Sequence, residues 1–280
     1  MAFNMSGLLY IVATPIGNLS DITIRAVEVL KKVDAVLAED TRHTKKLFDH
    51  YEIDSPLIAF HEHNENEKVN YILAQIGSGK SLALVSDAGT PLISDPGYNL
   101  VLEAKKNGIS VVPIPGPSAL IAALSSSGIE SNNFTFFGFL PSKQSARLRL
   151  LKTKKSLNET IVFYESPKRI LAALMDMLEV FGEKRQVCLA KEITKSFETI
   201  LNDNLVNLIE YLTSDSSHQK GEFVIIISPV NKVDLDEAQV QLEKILPILC
   251  AEMGASQAAK LAAKITGIDK KHCYKRAINL

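Results

Sequence analysis

The stretch Leu82–Gly128, LALVSDAGTPLISDPGYNLVLEAKKNGISVVPIPGPSALIAALSSSG, decides the fold class. Its two short apolar runs, Leu82–Ser86 and Val111–Ile114, each end in turn residues, as buried parallel strands usually do. Between them, the apolar spacing over Leu100–Lys106 and the glycine at Gly108 predict a helix and its end. The stretch therefore predicts strand, tight loop, helix, strand, tight loop and helix.

Both tight loops, Asp87–Pro91 and Pro115–Ser118, follow the carboxyl ends of their strands. In open α/β sheets this is the edge at which ligands bind. Small residues let a ligand approach the main chain, and prolines hold a loop in one shape before the ligand arrives. Either loop alone is equally compatible with a purely structural role. Two such loops, one βαβ unit apart, favour a small-molecule site.

The chain before this stretch repeats the same alternation. Strands are predicted at Leu8–Thr14, Ala35–Glu39 and Leu57–Phe60, each followed by a polar or proline-containing loop. A helix is predicted to begin near Asp21, with Ser20 or Asp21 as its N-cap. Five βα units in succession predict a mostly parallel sheet with helices on both faces.

After Gly128 the pattern indicates a second α/β domain. An aromatic, β-prone segment, Asn132–Phe139, precedes the basic run, which we define as Lys143–Lys155 and which contains no acid. Its phenylalanines alternate as a strand core would, so they are not assigned to base stacking. Further strands are predicted at Thr160–Tyr164, Gln186–Lys191, Glu198–Leu201 and Glu222–Ser228, with helices ending near Phe181 and spanning Leu205–Leu212.

A break at Pro229–Asp234 then leads into an all-helical tail. Helix Gln257–Lys264, a turn at Thr266-Gly267 and a second helix from Lys270 resemble a helix-turn-helix. From Ala251 to the end there are six Lys or Arg residues and two acids. A structural helical cap and a nucleic-acid contact both fit this segment. The expected domains are residues 1–128, 129–230 and 231–280.

Composition limits the class of protein. The chain has 280 residues, of which 46% are hydrophobic and 22% charged, enough for roughly two domains of ordinary size. The amino-terminal residues lack the pattern of a secretion signal. Cys188, Cys250 and Cys273 lie far apart with no CxxC pair, which predicts a reducing, cytoplasmic compartment and no zinc ribbon. The formal net charge of -1 gives no general indication of nucleic-acid binding.

Motifs along nearly the whole chain resemble those of the tetrapyrrole-methylase superfamily of S-adenosylmethionine-dependent enzymes. Within that superfamily they look like the branch that methylates the ribose 2′-hydroxyl of a cytidine in small-subunit ribosomal RNA. The helix-turn-helix tail is similar to the one that this branch carries. The motifs are Pro15–Asn18, Ala38–Arg42, Ser86–Gly97, Ile114–Ala119, Phe163–Arg169 and Lys191–Thr194.

The resemblance implies a fold of two α/β domains of the tetrapyrrole-methylase type (a class III methyltransferase) plus the helical tail. It implies S-adenosylmethionine as cofactor, folded into the cleft between the domains, and a homodimer. Backbone near Tyr164–Glu165 and near Ile193 or Ile227 is expected to contribute. The residues that match the family's cofactor-binding positions are Pro15, Ala88, Gly89, Thr90, Ser118, Ala119 and Tyr164.

Methyl transfer to a ribose hydroxyl needs positioning of both reactants and gains from a base or a cation near the hydroxyl. No metal is needed. Glu165 and Lys191 are the candidates for the base, Lys191 only if burial depresses its pKa. Arg42, Lys168 and Arg169 are expected to contact phosphate or ribose, because guanidinium and ammonium groups suit phosphate. The other charged residues expected to face the cleft are Glu39, Asp40 and Glu192. Some of these charged candidates, including those named above, are equally compatible with salt bridges that hold the two domains together.

Three functions remain open at this point. An RNA ribose methyltransferase would use the basic run and the tail as a positively charged surface that binds 16S ribosomal RNA within the small subunit. The basic run is also compatible with a solvent-exposed linker. A methyltransferase for a tetrapyrrole or another small molecule needs neither feature. Tetrapyrrole-specific members usually have Gly-Asp-Pro where this chain has Gly89-Thr-Pro91, which weakens that alternative. A non-enzymatic RNA-binding module would leave the paired sheet-edge loops unexplained.

Overall fold

The computed structural model describes residues 7–230 and 232–280, except for the side chains of residues 232–237. The ten strands of these residues form two five-stranded sheets. The first sheet has the order β3-β2-β4-β1-β5 with every neighbouring pair parallel. Its strands are β1 (Leu8–Val12), β2 (Ala35–Ala38), β3 (Leu57–Ala59), β4 (Leu82–Val85) and β5 (Ser110–Ile114). The helices between and after them are α1 (Ile24–Lys32), α2 (Thr41–Tyr51), α3 (Glu65–Gly77), α4 (Tyr98–Lys106) and α5 (Ala119–Ser126).

Both faces of this first sheet are buried, which explains its continuous apolar strands. In β4, Ala83 and Val85 join the core formed with α1 and α2. Leu82 and Leu84 point to the opposite face and join the core formed with α3 and α4. The predicted parallel sheet with helices on both sides is therefore confirmed.

The start of α1 differs from the prediction. Its N-cap is Thr23, whose Oγ1 accepts a hydrogen bond from the N–H of Ala26 at 3.1 Å. The predicted caps Ser20 and Asp21 instead lie in a single 3-10 turn, which Asn18 caps. The prediction was wrong because several residues with good capping side chains follow one another here, and Asn18 closes a separate turn before the helix begins.

The second sheet has the order β6-β7-β10-β8-β9 and is mixed, with β6 parallel to β7 and β10 antiparallel to β7. One large core packs α7 and α8 against it through residues such as Phe163, Met177 and Leu208. Its strands are β6 (Phe134–Phe139), β7 (Thr160–Glu165), β8 (Gln186–Lys191), β9 (Thr199–Asn204) and β10 (Phe223–Ile227). Its helices are α6 (Gln144–Lys154), α7 (Ile170–Phe181) and α8 (Leu205–Ser214).

The tail contains three helices, α9 (Lys232–Glu252), α10 (Ala255–Thr266) and α11 (Lys270–Ile278). Leu242 and Leu246 of α9 pack against Ala259 and Ala262 of α10, whose small side chains allow close approach, and against Cys273 of α11. Gly267, with a φ of 74°, closes α10. The predicted helix, turn and helix are present. Within the predicted break at Pro229–Asp234, residue 231 is outside the described residues.

Contacts divide the chain into two compact units. The first contains the residues up to Ser126 together with Ala190–Thr199, and the second contains Ser127–Leu189 and Ile200–Leu280. The segment Ala190–Thr199, expected in the second domain, thus belongs to the first unit. The domain boundaries drawn from the sequence stay a prediction.

A buried ion pair fixes α6 of the second unit. Arg147 Nε lies 2.6 Å from Asp176 Oδ2, and the two side chains are only 5% and 3% exposed. Gln144 also donates to Asp176, at 2.8 Å. Arg147 therefore faces the protein interior, so this member of the basic run is not available to bind RNA.

Replacing Arg147 with alanine is expected to lower the free energy of unfolding by about 3–5 kcal/mol, because it leaves the buried carboxylate of Asp176 without its counter-charge. Urea unfolding followed by circular dichroism measures this. The matched control is Lys152→Ala: Lys152 is exposed on the same helix, 3.6 Å from Glu179, and its loss is expected to cost below ~1 kcal/mol. Equal stability of the two variants would contradict a structural role for the buried pair.

Candidate functional site

Three neighbouring strands bring three loops to one edge of the first sheet. β1 lies between β4 and β5, and Tyr10 of β1 pairs in register with Ala83 of β4 and Val112 of β5. Because the three strands are parallel, the loops that follow them leave from the same edge. These loops are the ones predicted from the sequence, Pro15–Asn18, Asp87–Pro91 and Pro115–Ser118.

Hydrogen bonds join these loops directly. The N–H of Thr14 donates to the carbonyl of Gly89 at 2.9 Å, and the N–H of Gly89 donates back to the carbonyl of Thr14 at 3.0 Å. The Thr90 hydroxyl donates to the carbonyl of Pro117 at 3.1 Å. Because these hydrogen bonds already hold the loops together, the entropy cost of ordering the loops on ligand binding is small.

Gly89 has a backbone conformation that would be strained for a residue with a side chain. Its φ is +80°, in the left-handed region that favours glycine, and a Cβ there would lie 3.4 Å from Cγ2 of Ile16. A Cβ on Gly116 would lie 3.0 Å from the Cβ of Ala13, tighter than ordinary contacts. Ala88, beside Gly89, is exposed. The loops thus present main chain and small side chains to whatever binds this edge.

The remaining predicted cofactor residues of the first unit lie on the same loops. Pro15 directly follows Thr14 and is half-buried. The carbonyl of Ser118 accepts from the N–H of Ala122 at 2.9 Å, so Ser118 and Ala119 begin α5. The structure therefore brings together all the predicted cofactor residues except Tyr164, which belongs to the second unit.

A segment from much later in the chain packs on the first of these loops. Within Ala190–Thr199, the hydroxyl oxygen of Thr194 accepts a hydrogen bond from the N–H of Asn18 at 3.2 Å. A Cβ on Gly17 would collide with the side chain of Lys195. This close approach explains the glycine of the first loop, which the sequence alone did not explain.

Backbone strain marks the same region. Leu92 and Ser94, after β4, have φ values of 72° and 74°, and Glu192 and Thr194 have φ values of 50° and 66°. Residues other than glycine rarely adopt such values, and they persist only where the surroundings enforce them. Ile193, expected from the second domain, lies in this strained segment of the first unit.

Sequence reasoning missed Asp95, a partly buried acid in the loop after β4. Burial raises the pKa of Asp95 to about 6, a hydrogen bond from Ser86 opposes the rise, and the charges of Glu39 and Asp87 add to it. Burial, followed by the charge of Asp87, also raises the pKa of Glu39. The available signal was the position of Asp95 directly before Pro96-Gly97, where a charged residue must sit against a tight turn.

The raised pKa of Asp95 means that the folded protein binds this proton more tightly than the unfolded chain does. The contribution of Asp95 to stability is therefore expected to fall as the pH rises from about 4 through about 6. Asp95→Asn is expected to raise the free energy of unfolding by about 1–2 kcal/mol at pH 7.5 and to change it little at pH 4. Thermal melts at both pH values test this, with the exposed Asp54→Asn as control. An equal effect of Asp95→Asn at the two pH values would contradict it.

Arg42 is exposed and paired at the start of α2. Asp40 caps this helix, accepting from the N–H of Arg42 at 2.8 Å, and its Oδ2 lies 2.8 Å from the Arg42 guanidinium. The side-chain hydrogen bond from Arg42 holds the pKa of Asp40 well below its ordinary value. The Arg42 side chain is 89% exposed. Its charge is thus on the surface, partly engaged by Asp40.

In the second unit, Glu165 ends β7 as a buried carboxylate. Its Oε1 lies 2.7 Å from a terminal guanidinium nitrogen of Arg169 and accepts from the N–H of Ser166, also at 2.7 Å. Its Oε2 is buried and has no hydrogen-bond partner among the described residues. Leaving such an oxygen unpaired costs free energy, so a buried acceptor without a donor marks Glu165 as a candidate functional residue.

The two cations that follow Glu165 differ in their surroundings. Arg169 pairs with Glu165 and also donates to the carbonyl of Leu140 at 3.2 Å, and its side chain is only 28% exposed. Lys168 is exposed. A phosphate contact by Arg169 stays a prediction, but its guanidinium already forms an ion pair with Glu165. Lys168 is better placed for a large ligand.

The last two predicted residues, Tyr164 and Lys191, are half-buried and buried, respectively. Tyr164 packs edge-on against Phe136 and Phe139, with ring centroids 4.7 and 5.7 Å apart. Lys191 ends β8, is buried and belongs to the first unit together with the sheet-edge loops. The predicted roles of both residues stay predictions.

Comparison with known protein families decides the affiliation. Residues 8–209 match the model described as Tetrapyrrole (Corrin/Porphyrin) Methylases. The chain belongs to the tetrapyrrole methylase family. Residues 236–280 match a second model, described as RsmI C-terminal HTH domain. The tetrapyrrole-methylase fold with a helix-turn-helix-like tail, predicted from the sequence, is thereby confirmed.

Similar family members cover nearly the whole chain. One from Pseudomonas aeruginosa is 46% identical over 274 residues, which is 98% of this chain and 97% of that protein. Another, from Xylella fastidiosa, is 49% identical over 269 residues, 96% of this chain and 98% of that protein. Both are named Ribosomal RNA small subunit methyltransferase I.

Solved structures of other methyltransferases and of a diphthine synthase share the fold at much lower identity. A cobalt precorrin-4 methyltransferase of cobalamin biosynthesis aligns with a TM-score of 0.58 and 18% identity, over 79% of this chain and 94% of its own. A diphthine synthase aligns with a TM-score of 0.60 and 14% identity, over 79% of this chain and 90% of its own. At this identity the likeness concerns the fold alone.

Two further observations apply to the described part of the chain. It contains no helix both long and apolar enough to cross a membrane. In that same part, no three His, Cys, Asp or Glu side chains are grouped so that they could hold a metal ion.

Proposed function

We propose that the protein transfers a methyl group from S-adenosylmethionine to the ribose 2′-hydroxyl of a cytidine in 16S ribosomal RNA. The observation that carries the proposal is near-complete coverage, at 46–49% identity, by relatives named Ribosomal RNA small subunit methyltransferase I. The match of the tail to the RsmI C-terminal domain model supports it. We further propose that the enzyme acts in the cytoplasm, as a homodimer, on the small ribosomal subunit.

The sheet-edge loops of the first unit fit S-adenosylmethionine. The cofactor's adenosine and amino-acid groups need close contact with main chain, and the small side chain of the exposed Ala88 allows such contact. When bound, S-adenosylmethionine supplies an activated methyl group on a sulfonium. The residues proposed to hold it are Pro15, Ala88, Gly89, Thr90, Ser118, Ala119 and Tyr164.

The ribose hydroxyl is a weak nucleophile, so removing its proton assists the transfer. We propose Glu165 for this step, because its Oε2 is a buried acceptor without a donor among the described residues. Arg169 and Ser166 hold the other oxygen, and so fix the direction of Oε2. Lys191, also buried, is the alternative base.

The substrate contacts are proposed from charge and exposure. Arg42 and Lys168 are exposed and suit phosphate groups. Arg169 is proposed to act mainly through its ion pair with Glu165, with a second contact to the RNA. The methyl acceptor is then positioned by cations, and the chain's own carboxylate accepts the proton.

The second candidate is methylation of a tetrapyrrole or another small molecule. The description of the matching family model favours it. The sequence Gly89-Thr-Pro91 and the helix-turn-helix tail count against it, since a small acceptor needs no tail.

Labelled methyl transfer separates the two candidates. The purified protein is incubated with S-adenosylmethionine labelled in the methyl group and, in parallel, with small subunits lacking the modification, naked 16S RNA, and a uroporphyrinogen. We expect label in one of the two RNA samples and none in the uroporphyrinogen. Label in the tetrapyrrole alone would replace the first candidate with the second.

A further inference from the structure

A cleft of about 1180 Å³ lies within the second unit, between the sheet and the tail. We call it the tail cleft. One wall is formed by loops that flank the strands and includes Lys155, Lys184 and Arg185. The other wall includes Gly267, in the turn of the helix-turn-helix, and His272, in the first turn of α11. Its volume exceeds the roughly 300–1,000 Å³ of ordinary small-molecule pockets. The cleft is large enough to hold a short stretch of a polymer.

The tail cleft lies at the opposite end of the sheet from Glu165. Its lining residues Asn158, Gln186 and Ser228 stand at the start of β7, the start of β8 and the end of β10. Glu165 is the last residue of β7, so at about 3.3 Å per residue the length of the strand puts it roughly 16 Å from Thr160. A ligand in the cleft therefore does not occupy the position of the proposed base.

Arg185 organises one wall of the cleft. Its guanidinium donates to the carbonyl of Ser228 at 3.0 Å and to the carbonyl of Lys155 at 2.9 Å, and it lies over the ring of Phe181 at 5.5 Å. These contacts tie the loop before β7 to the end of β10. They hold Lys155 and Lys184 on one surface, where both side chains are exposed.

The charges along the cleft favour an anion. The described lining residues include three cations, Lys155, Lys184 and Arg185, against two acids, Glu130 and Asp269. Asp269 is engaged locally, because its carboxylate accepts from the N–H groups of Lys271 and His272 at the start of α11. The exposed cations are thus concentrated on the sheet wall.

We propose that the tail cleft binds a segment of the substrate RNA through its phosphates, away from the ribose that is methylated. This rests on the proposed function. Two segments that are far apart in the sequence line the tail cleft. They are the end of the basic run and the turn of the tail. Phosphate contacts position an RNA without reading its bases, so this surface would hold the substrate while the catalytic residues act elsewhere.

The test compares Lys155→Ala/Lys184→Ala with the control Lys31→Ala/Lys32→Ala, which removes the same charge from exposed positions on α1. Binding of naked 16S RNA is measured by filter retention over a series of salt concentrations. For the cleft variant we expect roughly tenfold weaker binding, and a slope of log affinity against log salt smaller by about 2. S-adenosylmethionine affinity is expected to stay at the wild-type value.

Equal RNA binding by the cleft variant and the control would overturn the proposal. So would a loss of affinity for assembled subunits without a loss for naked RNA, because the partner in the cleft would then be a ribosomal protein. If the wild type binds RNA with the expected dependence on the two lysines but transfers no methyl group to it, the cleft proposal stands and the proposed function fails.

Discussion

Replacing Thr90 with tryptophan is expected to abolish binding of S-adenosylmethionine, lowering its affinity at least about 100-fold, which corresponds to roughly 2.7 kcal/mol. Thr90 lies where the loops after β4 and β5 meet, with its hydroxyl on the carbonyl of Pro117. An indole at this position would fill the space that the small residues leave and would push the two loops apart. Isothermal titration calorimetry with the cofactor measures the loss directly.

The matched control is Thr90→Ser, which keeps the hydroxyl that donates to Pro117. This variant is expected to bind the cofactor within about threefold of the wild type. Circular dichroism melts show whether the tryptophan variant remains folded. Retained affinity in a folded Thr90→Trp protein would mean that the cofactor binds elsewhere.

Glu165→Gln is expected to lower kcat for methyl transfer by about 10²- to 10⁴-fold while leaving cofactor affinity unchanged. Glutamine keeps the shape and can still accept from the N–H of Ser166, but it removes the negative charge that Oε2 offers to a hydroxyl. Single-turnover kinetics with saturating RNA measure the step itself.

Two companion variants separate catalysis by Glu165 from a structural role. Arg169→Met removes the ion pair but keeps the carboxylate, and it is expected to lower kcat less than Glu165→Gln does. Lys191→Met tests the alternative base. If Lys191→Met abolishes the step and Glu165→Gln leaves it intact, the proton goes to Lys191 and the role assigned to Glu165 is wrong.

Local patterns were sufficient to predict the fold of the first unit. The unbroken apolar run of β4 predicted a strand buried on both faces, and Leu84 and Val85 indeed lie in different cores. The loops Asp87–Pro91 and Pro115–Ser118 were located because turn residues follow parallel strands directly. Such features depend on neighbours within a few residues, which the sequence displays.

Features that depend on distant residues could not be read in this way. Arg147 has the same basic neighbours as Lys152, and only Asp176, 29 positions away, decides that it is buried. The association of Ala190–Thr199 with the first unit rests on contacts such as that between Thr194 and Asn18, 176 positions apart. No local rule predicts either pairing.

The site was predicted best where its residues are small. Gly89 and its neighbours follow from the geometry of a tight loop, whereas the pKa of Asp95 depends on burial and on Glu39 and Asp87 together. The buried, unpaired oxygen of Glu165 likewise follows from the ion pair with Arg169 and the packing around β7. The sequence named Glu165 as a candidate, and the structure supplied a physical reason to prefer it.

The most direct test of the central claim is the position of the transferred methyl group. Small subunits lacking the modification are incubated with the protein and labelled S-adenosylmethionine, and the RNA is then hydrolysed with alkali. A methyl group on a ribose 2′-oxygen blocks cleavage, so the account predicts the label in one alkali-resistant dinucleotide that begins with cytidine. Label released in mononucleotides would place the methyl group on a base and would contradict the account.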